Sequence, residues 1–223
     1  VTFWTDGDIT ILVPMLGRPN RVAPLLATID ATAPDAHVLF CLTPGDSGVL
    51  AAVRAAGRPW IVVDRRPVGD YARKINTGYR RTTAPLIFCA ADDLRFHPDW
   101  WQHATAALTP GVGVVGTNDL GSPRVMRGEH ATHSLITRDY ADTHGVIDQP
   151  GAILHEGYPH EYVDDELVAT AKRRGAWAFA PNSHVEHLHP NWGKGHVDAL
   201  YRQQPARMRQ GRPMFEARRR LWT

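Results

Sequence analysis

The sequence predicts an α/β fold built on a doubly wound, mostly parallel, Rossmann-like sheet. Two observations predict it: four short apolar runs rich in β-branched residues, and segments of helical spacing between them. The runs lie at 9–13, 37–42, 60–63 and 86–89. They are continuous rather than alternating, as a strand must be when helices cover both faces of its sheet. Segment 20–32 sets Val22, Leu25, Leu26 and Ile29 on one helical face, and 47–56 does the same with Leu50, Val53 and Ala56. A third helix is predicted over 70–82. The alternation implies right-handed crossovers. A fifth run, 112–115, follows a helix expected to start at Pro98, because proline suits a first helical position. Beyond about residue 118 Gly, Pro and His become frequent, with a strand predicted at 177–180 and helices at 161–174 and 197–209.

Composition limits the function classes. The 223 residues are 43% hydrophobic and 22% charged, which excludes wholesale disorder and a fibrous repeat. No apolar run approaches the roughly 20 residues of a membrane-spanning helix. Asp6 and Asp8 precede the first apolar run, so the N-terminal stretch does not read as a secretory signal. Cys41 and Cys89 fall inside strand-like runs and read as reduced core thiols of a cytoplasmic protein. Charge is uneven. Residues 202–223 hold seven arginines against Glu216, a net +6, and the other 201 residues sum to −4. An acidic body with a basic tail implies an anionic partner near the C-terminal end. Nine of the twelve histidines fall between 130 and 196, a region fit for metal binding or proton transfer.

Ligands of open parallel sheets bind beyond the carboxyl ends of the strands. The first strand runs into the loop Pro14–Pro19, which carries Gly17 and Arg18, and the fourth runs into Asp92 and Asp93. Adjacent carboxylates at a buried strand end repel each other, and a cation beside them relieves that cost. Hard oxygen ligands point to Mg²⁺ or Mn²⁺, which would hold a diphosphate. The plainer reading is a turn that caps the helix at Pro98. Over 161–174, Leu167, Val168 and Ala171 form the apolar stripe and Asp164 shares their face, while Asp165 points sideways and Glu166 outward. An inward carboxylate needs a partner or a task. His187 and His189 share one face of an extended segment and offer one or two metal ligands. No Gly-x-Ser-x-Gly elbow, Walker loop, Gly-x-Gly-x-x-Gly or His-Glu-x-x-His is present, which argues against a serine hydrolase, a P-loop NTPase and a dinucleotide dehydrogenase.

Taken in order, these motifs resemble the family 2 glycosyltransferases of GT-A fold. Residues 9–19 resemble the family's opening strand and its Pro-x-x-x-Arg-Pro turn. Lys74-Ile-Asn-Thr-Gly78 followed by 84–93 is similar to its Asn-x-Gly helix and acidic strand. Val163-Asp-Asp-Glu-Leu167 resembles the helix that contributes the base, and His184-Val-Glu-His187 the late metal-site histidine. The resemblance implies a GT-A domain over 1–190, with a nucleotide-sugar half (1–117) and an acceptor half (118–190), and a basic helical extension over 191–223. It implies a nucleotide-sugar donor, with a UDP-sugar favoured, an Mn²⁺ or Mg²⁺ ion, and inversion at the anomeric carbon. Asp92 would contact the donor ribose or diphosphate, and Asp93 the metal, with His187 or alternatively His189. Asp164, or Asp165, would deprotonate the acceptor hydroxyl. Pro14, Arg18, Lys74 and Asn76 would line the nucleotide site. The acid usual at the end of the second strand is missing, which leaves Thr43 or Asp46 for that role.

Two other readings compete. A nucleotidyltransferase also uses acids at strand ends, but its first loop is richer in glycine. A non-enzymatic nucleic-acid-binding domain explains the arginines and leaves the aspartates idle. In the tail, Met214, Ala217 and Leu221 predict a docked helix over 213–222. Its arginines would be either a solvated face or the site of a polyanionic acceptor, phospholipid-linked or DNA with a hydroxylated base.

Overall fold

The computed structural model describes residues 3–66 and 68–222. Its strands are β1 (Ile9–Pro14), β2 (His37–Leu42), β3 (Trp60–Val62), β4 (Leu86–Cys89), β5 (Leu94–Phe96), β6 (Val114–Asn118), β7 (Ser134–Thr137) and β8 (Trp177–His187). The helices are α1 (Val22–Thr32), α2 (Ser47–Ala55), α3 (Asp70–Arg80), α4 (Trp100–Ala106), α5 (Pro123–Met126), α6 (Arg138–Thr143), α7 (Val163–Arg173), α8 (Ala199–Arg202) and α9 (Gln204–Arg219).

All eight strands form one sheet in the order β3-β2-β1-β4-β7-β6-β8-β5. β1 is flanked in parallel by β2 and β4, and β3 joins β2 in parallel. β7 enters antiparallel between β4 and β6, β8 runs parallel to β6, and β5 pairs antiparallel with β8. The sheet is mostly parallel, as the apolar runs predict, and its antiparallel strands, β5 and β7, lie outside those runs.

The continuous runs have a direct cause. In β1, Ile9, Ile11 and Val13 enter a core under α1, α2 and α4, while Leu12 enters a second core under α3, α6 and α7. β4 divides the same way, with Leu86 and Phe88 on one face and Ile87 and Cys89 on the other. Both faces are covered, so both need apolar side chains. Cys41 and Cys89 are free and buried.

Four expectations are corrected. The fifth run begins its strand at Val114, because residues 109–112 close a turn with Val112 N–H on the Thr109 carbonyl (2.9 Å). The helix expected at Pro98 starts at Trp100, after Asp99 adopts the left-handed conformation (φ 62°). The 177–180 strand continues to His187, with a bulge opposite Thr117 and Asn118. The two tail helices are in fact a short α8 and one long α9 that runs through Pro213.

The contact stripe of α9 also differs from Met214, Ala217 and Leu221. Ala217 and Leu221 are exposed, and the inward side carries Gly211, Met214, Phe215 and Arg218, with Trp222 just beyond. Phe215 stacks on Tyr162 at 5.3 Å and meets Trp222 at 5.7 Å. A Cβ at Gly211 would lie 2.9 Å from the Tyr162 ring, so only glycine lets the helix sit this close. An interior proline removes a helical hydrogen bond at a cost of about 3 kcal/mol, and this packing offsets it.

Candidate active site

The carboxyl ends of β1 and β4 open onto a cavity of about 300 Å³. Topology brings distant segments to its wall. β7 runs against β4, so the residues just before it, Thr132 and His133, arrive beside the end of β4. β8 runs against β5, so His187 lies opposite Leu94, and Leu188 N–H bonds the Asp93 carbonyl (2.8 Å). The N-terminus of α7 contributes Asp164 and Asp165, and α8–α9 closes the rim with Tyr201, Gln204, Arg207 and Met208.

Asp92 and Asp93 are 7% and 4% exposed, buried far beyond an ordinary turn. Arg18 from the β1 loop holds Asp92 Oδ1 with one terminal nitrogen (2.8 Å). Its Nε and other terminal nitrogen grip Asp198 just ahead of α8 (2.7 and 3.1 Å). Burial and the charge of Asp93 push the Asp92 carboxyl up, against the pull of Arg18. Burial also acts to raise Asp93, but His187 and Tyr201 outweigh it and hold Asp93 below the usual carboxylate range. His187 Nε2 stands 3.5 Å from Asp93 Oδ1, and the Tyr201 hydroxyl donates to Asp93 Oδ2. One ionised carboxylate and one imidazole, both buried at a strand end, offer an oxygen and a nitrogen ligand to a divalent cation such as Mn²⁺. His189 is spent differently. Its Nδ1 accepts from Asn191 N–H (3.1 Å), which leaves the ring proton on Nε2 and no free lone pair.

At the start of α7, His130 Nε2 lies 3.1 Å from Asp164 Oδ2, and Arg124 donates to Asp165 Oδ1 (3.0 Å). Burial acts to raise the Asp164 carboxyl, but His130 reverses this and keeps it low. Asp165 is pushed up by burial and by Asp164. Among the described residues, His130, Asp164 and Asp165 are the one group of three whose ligand atoms lie within 4.8 Å of one another. His130 and Arg124 already balance their charge. Glu166, expected to point outward, is 4% exposed: it accepts from Tyr158 (2.6 Å) and Arg218 (2.6 Å), because α9 covers that flank of α7.

Pro14, Arg18, Lys74, Asp92, Asp93, Asp164, Asp165, His187 and His189 therefore share one cavity. Three candidates do not reach it. Asn76 is fully buried, and its amide staples the 153–156 segment: Oδ1 accepts from Ile153 and Leu154 N–H, while Nδ2 donates to the Leu154 carbonyl and to Glu156. Asp46 caps α2 through Val49 N–H and accepts from Gly17 N–H (2.6 Å), which holds the β1 loop. Thr43 accepts from Lys74, whose ammonium also bonds the Met15 carbonyl and Asp70. All three Lys74 donors are thus used internally. Sequence reasoning missed His133, Asp70 and Tyr201. The histidine-rich composition of 130–196 pointed toward the first, and no sequence signal marks the other two.

The sequence matches no protein-family model and no curated protein. Solved structures do match. A mannosyltransferase from Pyrobaculum calidifontis, solved with GDP-Man and Mn²⁺, superposes with a TM-score of 0.64 at 18% identity over 92% of this chain. This chain spans 61% of that protein's length. Glucosyl-3-phosphoglycerate synthase from Mycobacterium tuberculosis, solved with Mn²⁺, UDP-Glc and phosphoglyceric acid, gives 0.62 at 16% identity, covering 98% of this chain and 85% of its own. At such identities the likeness is one of fold, and the fold of this chain is that of the GT-A glycosyltransferases.

Proposed function

We propose that this chain is a metal-dependent glycosyltransferase that moves a sugar from a nucleoside-diphosphate sugar to an acceptor hydroxyl. The observation that carries the reading is that Asp93, paired with His187, and Asp164, held by His130 behind it, line one cavity at the carboxyl edge of the sheet. The two solved neighbours were captured with Mn²⁺ and a GDP- or UDP-sugar, which supports the same class of donor here.

In this reading Asp93 and His187 hold the cation, Mn²⁺ or Mg²⁺, which when bound offsets charge gathering on the departing diphosphate. Arg18 and Asp92 line the diphosphate and ribose side. Asp164, ionised because His130 holds it so, accepts the acceptor's proton as its oxygen attacks the anomeric carbon. The bond to the diphosphate breaks on the opposite face, which inverts the centre. Asp165, pushed toward its neutral form, is the weaker base. A UDP-sugar is the donor favoured first. Residues 191–223 act as an acceptor-side extension, and the arginines of α8–α9 favour a polyanionic acceptor. The free, buried Cys41 and Cys89 fit a reducing, cytoplasmic compartment. No helix among the described residues is long and apolar enough to cross a membrane.

The test is a thermal-shift screen of nucleotide sugars with Mn²⁺, since a ligand of the folded state raises the melting temperature. Absence of any shift overturns the proposal. A nucleotidyltransferase would release pyrophosphate rather than nucleoside diphosphate. A non-catalytic nucleic-acid binder would bind without regard to metal or nucleotide sugar.

A further inference from the structure

One buried group on the cavity wall has no use in the reaction described above. His133 is 5% exposed, and its Nδ1 sits 3.1 Å from the Cys89 carbonyl. A carbonyl only accepts, so Nδ1 carries the proton and the neutral ring keeps its lone pair on Nε2. That Nε2 is shielded from solvent and has no hydrogen-bond partner. A buried acceptor without a partner is costly, and such atoms in folded proteins call for an explanation.

The position of the ring narrows what it takes. His133 stands edge to face with His187, centroids 5.1 Å apart, and lines the cavity together with Asp93 and Asp164. It does not join Asp93 and His187 in a ligand-spaced group; the one such group among the described residues is at the start of α7. A hydrogen-bond donor is therefore the fitting partner, rather than the cation. Within the proposed function, the space between the diphosphate side and the base contains the transferred sugar, whose neutral hydroxyls are donors of the right kind.

We infer that His133 is a specificity-determining residue that accepts a hydrogen bond from a hydroxyl of the transferred sugar through Nε2, so that the enzyme selects donors bearing that hydroxyl. The inference rests on the glycosyltransferase reading. The backbone carbonyl fixes the acceptor before the donor arrives. A sugar deoxygenated at that carbon would leave Nε2 without a partner, the situation that gives sites built around a substrate hydroxyl their strongest discrimination.

Two variants separate the two ring nitrogens. His133→Asn places an amide where Nδ1 stands, keeping a donor for Cys89 and deleting the acceptor at the Nε2 position. His133→Gln reaches the Nε2 position with its carbonyl oxygen. Calorimetry with Mn²⁺ would compare UDP-glucose with UDP, and GDP-mannose with GDP, in the intact protein and both variants. For the pair that the intact protein binds, His133→Asn should worsen the nucleotide sugar relative to its bare diphosphate by about tenfold, and His133→Gln should recover most of the loss. Deoxy analogues of that sugar, tested one position at a time, should show one that costs the intact protein about tenfold and costs His133→Asn nothing further.

An unchanged ratio of sugar nucleotide to diphosphate in a folded His133→Asn overturns the inference. So does an equal loss for both ligands, which would put His133 on the metal or diphosphate instead. If His133→Asn fails to fold, the deoxy series on the intact protein decides alone, and indifference to every deoxygenation overturns it. Failure of the intact protein to bind any nucleotide or nucleotide sugar of the thermal-shift screen defeats the glycosyltransferase reading itself, a result distinct from a change confined to the variants.

Discussion

Asp93 and His187 are joined across 93 intervening residues by the antiparallel pairing of β5 with β8, so their 3.5 Å separation is a property of the sheet. Asp93→Ala should abolish metal-dependent donor binding and turnover while leaving the melting temperature near that of the parent. His187→Ala should weaken Mn²⁺ affinity. His189→Ala should leave that affinity nearly unchanged, because its Nδ1 is committed to Asn191 N–H. Titration of Mn²⁺ by paramagnetic resonance checks all three, and a larger loss from His189→Ala than from His187→Ala would reverse the assignment. In the same cavity, Asp164→Asn should lower kcat by about 10²-fold or more, the scale of general-base catalysis, with donor affinity preserved. A greater loss from Asp165→Asn would show that the raised carboxyl, and not the lowered one, takes the proton. His130 gives this pair a pH signature. Burial acts to lower the imidazole, but Asp164 reverses this and raises it above its ordinary value of 6.5. A group raised on folding stabilises fully below its unfolded value and loses that stabilisation as pH climbs through its folded value. The melting temperature should therefore drop more between pH 6 and pH 8 in the parent than in His130→Gln.

At the scale of elements, α9 matters more to the body than a solvated basic tail would. Arg218 reaches Glu166 (2.6 and 2.8 Å) and Asp148 (2.7 and 2.8 Å) with its side chain only 11% exposed, and Glu166 also takes the Tyr158 hydroxyl. Arg218→Ala would leave the Glu166 carboxylate buried without its cation, a situation that costs about 3 kcal/mol. A melting temperature several degrees lower should result, and Arg218→Ala with Glu166→Gln together should recover part of the loss. The same element shows where the sequence stops being legible. β1, β2 and β4, buried on both faces, announce themselves by continuous apolar runs. Asp92, Asp93 and Asp164 stand out because acids at strand ends and on inward helix faces need a reason. α9 offers no such contrast: its contact side is made of Gly211, Met214, Phe215, Arg218 and Trp222, a set that includes a glycine and an arginine and omits the apolar Leu221. Asn76 misleads for a related reason. A fully buried amide can serve a ligand or a backbone, and only the tertiary fold shows that its partners are residues 153–156. Gly78, two residues on, has an equally local task. A Cβ there would lie 2.8 Å from Leu12 and 3.0 Å from Cys41, so glycine lets α3 rest directly on the sheet.

Across the whole molecule, charge is sorted by what it touches. Of the seven arginines beyond residue 201, Arg207 pairs with Glu161 (3.0 Å) and Arg218 with Glu166 and Asp148, so these two belong to the body. Arg202, Arg209, Arg212 and Arg219 on α8–α9, and Arg220 just after it, are exposed, in the same segment whose Tyr201, Gln204, Arg207 and Met208 form the cavity rim. A polyanion lying along these arginines would pass the mouth of the site. A lipid surface fits less well, because α9 turns Met214 and Phe215 toward the body, and Trp222 beyond it is buried as well. The amphipathic face that anchors an interfacial helix is thus already occupied. Nucleic acid needs only the charge, and its binding carries a salt signature: the logarithm of affinity falls with the logarithm of salt by about 0.9 for each phosphate neutralised on duplex DNA. Arg209, Arg212 and Arg220 all changed to Gln should therefore flatten that slope by about 2 to 3 on duplex DNA. The melting temperature should stay near the parent's, since none of the three is among the buried contacts of α9. Anionic vesicles, run beside the DNA at the same two salt concentrations, should bind both proteins weakly and alike. Equal DNA slopes for the parent and the triple variant, or vesicle binding that the substitutions abolish while DNA binding persists, would remove nucleic acid as the partner of this face.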